Sequence, residues 1–282
     1  MKKRQRKVRL IRAAIQLVFF IFYPALFSTA FAGVKSVFQA IAAHQQIAWN
    51  SFLDVTGLLL LVTILFGRHF CGYACAFGSL GDAMYELTVF IRQKVFHKKG
   101  RHGYPEKAVR ILQKVKYILL AFLLLSILTG WYASLQGMSP WDVFSMLHAG
   151  NFRLSSYIPG IVLLVLILVG MFFEERFFCR FLCPMGAVFS LLPILPFFTL
   201  HRKRENCIRG CSACTRQCPS AVELPSDGSV EISGDCFQCQ KCIDTCPKGN
   251  IRCGVKELHG NEILFTLFRA VFLLTLLLWA GI

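Results

Sequence analysis

The sequence predicts a membrane α-helical protein: two parallel two-helix repeats and a C-terminal fifth transmembrane helix, with a small cysteine-rich α+β module ahead of that last helix. Three observations predict it. Apolar residues make up 55% of the 282-residue chain and charged residues 16%, where a soluble domain carries about a quarter charged residues. Five stretches approach the ~20 apolar residues that a bilayer crossing needs. Eight of the thirteen cysteines fall between 207 and 246 in two spaced runs.

The apolar stretches run from about Ile11 to Ala32, Phe52 to Phe66, Tyr117 to Tyr132, Ile158 to Phe173, and Ile263 to Ile282. They divide the chain into a four-helix membrane domain (1–200, with repeats at about 11–91 and 117–200), the cysteine-rich module (201–256) and the last helix (257–282). The net charge of +16 does not point to nucleic acid, because lysine and arginine cluster beside the apolar stretches. Lys2, Lys3, Arg4, Arg6, Lys7 and Arg9 precede the first, and Arg92, Lys94, Lys98, Lys99 and Arg101 follow the second. This bias places the N-terminus, the 92–116 loop and the cysteine-rich module in the cytoplasm, and the C-terminus outside. Trp49 and Trp131 then fall at the outer interface. The basic start, apolar run and Ala30-Phe31-Ala32 also fit a secretory signal peptide, which would leave the remaining topology unchanged. Ser139-Pro140-Trp141-Asp142 reads as a helix start, with Val143, Phe144, Met146 and Leu147 suited to a helix on the membrane surface. Arg269 lies near enough to the inner end of the fifth helix to snorkel.

The cysteine spacing carries the chemistry. Cys236-x2-Cys239-x2-Cys242-x3-Cys246-Pro247 is the bacterial ferredoxin pattern for a 4Fe-4S cluster. Cys207-x3-Cys211-x2-Cys214-x3-Cys218-Pro219 repeats it with one extra residue in the first gap. Thiolates are the soft ligands such clusters require. In two-cluster ferredoxins the fourth cysteine of each run serves the other cluster. One cluster then takes Cys207, Cys211, Cys214 and Cys246, and the other Cys236, Cys239, Cys242 and Cys218. Zinc is the alternative, but two runs of four ending in Cys-Pro suit iron–sulfur chemistry better. Pro225-Ser226-Asp227-Gly228, flanked by Val222, Val230 and Ile232, reads as a small hairpin. Cys253 stands outside both runs, as a structural or free thiol.

An internal repeat adds four more cysteines. Arg68-His69-Phe70-Cys71-Gly72-Tyr73-Ala74-Cys75-Ala76-Phe77-Gly78 aligns with Arg176-Phe177-Phe178-Cys179-Arg180-Phe181-Leu182-Cys183-Pro184-Met185-Gly186. Each copy follows an outward-to-inward stretch, so the repeats are parallel and imply a pseudo-two-fold axis along the membrane normal. Cysteines four apart share a helix face. Cys71, Cys75, Cys179 and Cys183 are therefore candidate ligands for a further iron–sulfur cluster or another metal at the inner face. Buried packing is the alternative, and a disulfide is disfavoured on a reducing side. A donor that loses protons as it is oxidised needs proton acceptors. His69, Glu174 and Glu175, at the inner helix ends, and Asp54, near the outer end of the second helix, are the candidates, each with an anchoring role as alternative. Arg68 and Arg176 would orient carbonyls, offset cluster charge, or reflect the positive-inside bias.

With these motifs the chain resembles the NapH/NosR-type membrane iron–sulfur proteins over about residues 1–255. The resemblance implies a subunit in a bacterial cytoplasmic membrane that passes electrons between the quinone pool, iron–sulfur clusters and other redox subunits, with an acceptor outside the membrane. The chain departs from the family in Ala76, where Cys-x3-Cys-Pro would put proline, in the longer gap after Cys207, and in the fifth helix. Two other classes are a redox sensor or regulator, for which one cluster would suffice, and a metal-handling assembly factor that hands over an ion through the repeated cysteines. Neither a haem-attachment motif nor a dinucleotide-binding glycine fingerprint is present.

Overall fold

The computed structural model of the chain describes residues 2–95, 97, 104–195, 199–253 and 262–281. Lys98, Lys99 and Arg101 of the basic loop, and the approach to the last helix at 254–261, lie outside the described residues. The helices are α1 (Lys2–Phe22), α2 (Leu26–Ala42), α3 (Ser51–Phe66), α4 (His69–Tyr73), α5 (Ala76–Val95), α6 (Glu106–Leu112), α7 (Val115–Leu128), α8 (Tyr132–Leu135), α9 (Pro140–His148) and α10 (Ile158–Phe173). A π-helical turn at Phe178–Leu182 follows, then α11 (Pro184–Leu191), α12 (Ala213–Arg216), α13 (Lys241–Thr245) and α14 (Glu262–Trp279). Strands β1 (Leu200–Lys203), β2 (Asp227–Val230) and β3 (Ile251–Cys253) complete the chain.

Among the described residues three helical stretches are long and apolar enough to cross a membrane: Lys107–Leu128, Ser155–Phe173 and Glu262–Trp279. The stretch read as one helix over 11–32 is broken between Phe22 and Leu26. Pro24 is the reason: it lacks an N–H, and its ring disfavours helical backbone at Tyr23. The second stretch is shorter than a full crossing, because α3 ends after 16 residues at Gly67, whose φ is +69°.

The chain forms two compact units. One comprises residues 20–57 and 75–188. Here α2 packs on α7, and α10 packs on both α5 and α9. Gly33 admits the close approach of α3, where the Thr56 hydroxyl donates to the Ala30 carbonyl at 2.9 Å. Ser139 caps α9, its hydroxyl accepting from the Asp142 N–H at 3.2 Å. One face of α9 packs on neighbouring helices. Pro140, Trp141 and Val143 are buried, Trp141 meets Phe27 and Phe31 edge-on, and Phe144 lies 4.6 Å from the Phe77 ring.

The other unit comprises residues 1–19, 58–74 and 189–282. Its sheet has the order β2-β1-β3, antiparallel throughout. The hairpin expected around 225–228 does not form: β2 pairs with β1, His201 opposite Val230, rather than with residues just before the turn. Leu200, Leu224, Ile251, Cys214, Cys236 and Cys253 make the module's small core. Phe268 and Phe272 of α14 lie against Phe66 at the end of α3.

Candidate metal centres

The tandem runs enclose two small cavities. Cys207, Cys211, Cys214 and Cys246 line the first, with Arg202 and Asn250. Cys218, Cys236, Cys239 and Cys242 line the second, which Cys214 also borders. The sequence-adjacent cysteines of each run are therefore joined by the fourth cysteine of the other. Local backbone explains how short segments turn so many thiols inward. Gln238 and Gln240, each just before a second-run cysteine spacing closes, have left-handed φ of +51° and +60°. Alternating right- and left-handed residues converge their N–H groups on one point, a nest suited to an anionic group.

Donors already face the sulfurs. Arg202 donates to Cys214 Sγ at 3.2 Å and to the Leu224 carbonyl at 2.6 Å. The Asn250 N–H reaches Cys246 Sγ at 3.3 Å and its Nδ2 reaches Cys207 Sγ at 3.4 Å. Burial, then the adjoining thiols, pushes Cys236 and Cys242 well above the ordinary thiol range, so these groups ionise only when a cation compensates. Among the described residues no three His, Cys, Asp or Glu side chains close tightly enough to chelate a single ion. Four cysteines on each cavity, and the donors to sulfur at the first, fit a polynuclear iron–sulfur cluster in each.

The four cysteines of the repeat are all buried, more fully than the tandem runs. Cys71 lies on α4, in the unit that holds the tandem runs. Arg68 Nη2 is 3.9 Å from its sulfur, and the same guanidinium stacks 4.7 Å over Phe237. A side chain on Gly72 would run into the Phe237 carbonyl oxygen, so this position admits only glycine against the Cys236–Cys239 loop. Cys75, Cys179 and Cys183 belong to the other unit. There Phe77, two residues after Cys75, lies 4.8 Å from the ring of Phe178, the neighbour of Cys179. Cys183 caps α11, its sulfur accepting from the Gly186 N–H at 3.0 Å.

The quinone-site candidates fare differently. Glu174 accepts from Arg180 and, at 2.8 Å, from the Tyr104 N–H, so an ion pair and a backbone bond occupy it. Glu175 is buried. Asp54 accepts from Trp49 at 2.8 Å, an anchoring contact at an exposed helix start. His69 is buried and stacked 4.4 Å from Tyr73, with neither ring nitrogen bonded among the described residues.

Sequence reasoning missed the polar groups that surround the second cavity's loop. Arg12 donates to the Cys239 carbonyl at 3.1 Å, Gln16 to the Gly72 carbonyl at 3.2 Å, and the Tyr73 hydroxyl to Cys239 at 3.5 Å. Thr266 of α14 donates to Gln240 Oε1 at 3.0 Å, and Arg269 to Cys253 Sγ at 2.9 Å. Arg269 is fully buried and does not snorkel to water. The signal was present: Arg12 and Gln16 stand four apart, hence on one face, in an apolar helix.

Comparison with known proteins agrees with this chemistry. The model of a 4Fe-4S binding domain family matches twice, at residues 52–99 and 158–199, the stretches holding Cys71 and Cys75 and then Cys179 and Cys183. An uncharacterised protein of Methanocaldococcus jannaschii is 28% identical over 86% of this chain and 94% of its own length. The regulatory protein NosR of Pseudomonas aeruginosa is 27% identical over 87% of this chain, which spans 34% of that longer protein. The ferredoxin-type protein NapH of Haemophilus influenzae is 24% identical over 79% of this chain and 75% of its own. No solved structure matches. With its membrane-length helices and buried cysteine sets, the chain is similar to membrane iron–sulfur proteins of the NapH/NosR type.

Proposed function

We propose that the chain is a membrane-bound electron-transfer subunit, working between the quinone pool or a cytosolic donor and a redox partner that includes other membrane-complex subunits and an acceptor outside. The observation that carries this reading is the crossed lining of the two cavities by Cys207, Cys211, Cys214, Cys246 and by Cys218, Cys236, Cys239, Cys242. When bound, a 4Fe-4S cluster accepts and releases one electron at a time with little change in its ligands. The protein's part is to hold the thiols and to supply donors from Arg202 and Asn250. A further centre on Cys71, Cys75, Cys179 and Cys183 rests on the repeat and on the two matches of the 4Fe-4S family model. The basic N-terminus and the ferredoxin module face the cytoplasm in this reading.

A lipid-soluble carrier is favoured by an apolar cavity of about 430 Å³ between α7, α9 and α10, whose wall includes Phe177, Phe178 and Leu182 beside Cys179. That is within the size range of small-molecule sites. The test is anaerobic. Membranes holding the protein are mixed with a reduced short-chain quinol, and the cluster absorbance and EPR signal are followed. Bleaching with turnover of the quinol is expected. Clusters that respond to dithionite yet never exchange electrons with quinol or quinone would remove the quinone from the account. The similarity to a regulatory protein, NosR, favours a sensor as the second reading; steady turnover with quinol would exclude a purely sensory role.

A further inference from the structure

We infer that the face of the module around Cys207, Cys211 and Cys246 docks a small acidic protein that carries one electron. This deepens the proposed function, on which it rests, by giving the soluble redox partner a chemistry and a place.

The two cysteine sets differ in access and in charge. Of the second set, Cys236 and Cys239 are buried, and among the described residues no charged side chain stands on the wall of that cavity. Of the first set only Cys214 is buried, and it borders both cavities; Cys207, Cys211 and Cys246 are partly exposed. Two cations, buried Arg202 and exposed Lys248, stand on the wall of the first cavity.

The surface around that cavity is basic. Across residues 203–216 and 246–250 the exposed charged side chains are Lys203, Arg204, Arg209, Arg216 and Lys248, against one carboxylate, Glu205. None of these five cations has an ion-pair partner among the described residues. Local contacts hold their segments at the opening. Asn250 Nδ2 donates to the Lys203 carbonyl at 2.6 Å and to Cys207 Sγ at 3.4 Å. Arg209 follows Ile208, which lines the cavity, and Arg216 stands three residues beyond Ala213, which also lines it, on α12. Ile208 is 47% exposed. An apolar side chain inside a polar, charged rim is the anatomy of a protein interface.

Exposed cations without partners add little to the stability of their own fold. Their summed field acts instead on what approaches, and it speeds the arrival of an acidic surface. Redox encounters need only a small contact, and a contact centred on Ile208 lies against the partly exposed thiols. The electron that one centre loses the other gains, with no bond made and no proton moved. Anionic lipid headgroups would also attract these cations. They exchange no electron, however, and so leave the opening onto Cys207, Cys211 and Cys246 without a use; the protein partner is favoured.

The test is binding of an acidic 2Fe-2S ferredoxin, in its oxidised form, to the full chain in detergent, with association and dissociation rates read at rising salt. The association rate is expected to fall about tenfold or more from low to high salt. Lys248→Glu and Arg209→Glu should each slow association at low salt, and Ile208→Ser should speed dissociation. Lys94→Glu, which reverses an exposed cation at the end of α5, should change neither rate. If a variant at 209 or 248 loses iron, the wild-type salt dependence and Lys94→Glu decide. Binding that is absent or indifferent to salt overturns the inference. So do variants at 208, 209 and 248 that bind like wild type, or a Lys94→Glu variant that is slowed as much as they are. Repeating the measurement in nanodiscs separates the lipid: loss of ferredoxin binding when anionic lipid replaces zwitterionic lipid would assign the face to the membrane. A chain whose clusters respond to quinol but which binds no ferredoxin sinks this inference alone; one with no 4Fe-4S signal sinks the proposed function too.

Discussion

The two copies of the Arg-x2-Cys-x3-Cys motif use the same residues for different work. In the first, Arg68 lies against the Phe237 ring and the Gly234 carbonyl, and Gly72 leaves room for the Cys236–Cys239 loop. In the second, Arg176 makes a two-pronged pair with Asp82 at 2.9 and 2.6 Å. Arg180 stands where the first copy has Gly72, and it pairs with Glu174. One copy is a docking face for the cysteine-rich loop at 236–239. The other ties its turn to α5, the helix that follows the first copy. The backbone differs accordingly: a turn of α-helix carries Cys71 and a π-turn carries Cys179, the latter a form that recurs at functional sites.

The comparison can be broken most severely at the second copy. Arg176→Met should cost about 3–5 kcal/mol, because it leaves the Asp82 carboxylate buried without its partner. The equivalent Arg68→Met should cost less, on the order of 1–2 kcal/mol, since Asp235 is half open to water. Thermal unfolding of the two variants in one detergent checks the ranking; equal losses would mean the copies are energetically alike. An Asp82→Leu, Arg176→Met double variant should recover part of the loss.

Gly72→Val is next. The added side chain meets backbone, which cannot rotate away, and overpacking of this kind costs about 1–3 kcal/mol. The expected result is a module more open to protease and a lowered yield of bound iron. Arg180→Gly, the reciprocal change, should leave module protection as in wild type. Protection unchanged in Gly72→Val would deny that the first copy is the docking face. The smallest effect is expected at Ser139→Ala, about 1 kcal/mol for a lost helix cap, read as a shift in unfolding midpoint with cluster content unchanged.

The cysteine sets were legible because a cluster site is written in local spacing, and the repeat because five identities recur in one alignment. What was not legible depended on distant partners. Nothing near Asp227 says that β2 will pair with β1 rather than with its own flank. The break at Pro24 was hidden by unbroken hydropathy, although proline itself was the sign. Arg12 stands inside the first apolar stretch with no partner near it in sequence; only the folded chain gives it the Cys239 carbonyl. Glu174 looked like a proton acceptor until Arg180, six residues on, was seen to pair with it. Polar residues in apolar helices thus announced importance but not role.

The central claim is that both motif copies, as well as the tandem runs, hold iron. It is tested most directly by counting iron and acid-labile sulfide per chain on anaerobically purified protein, in the wild type and in a Cys71→Ser, Cys179→Ser variant. The account predicts about twelve irons falling to about eight, four being lost with one cubane. About eight in both would contradict it, and would leave the repeated cysteines as packing residues around a two-cluster ferredoxin.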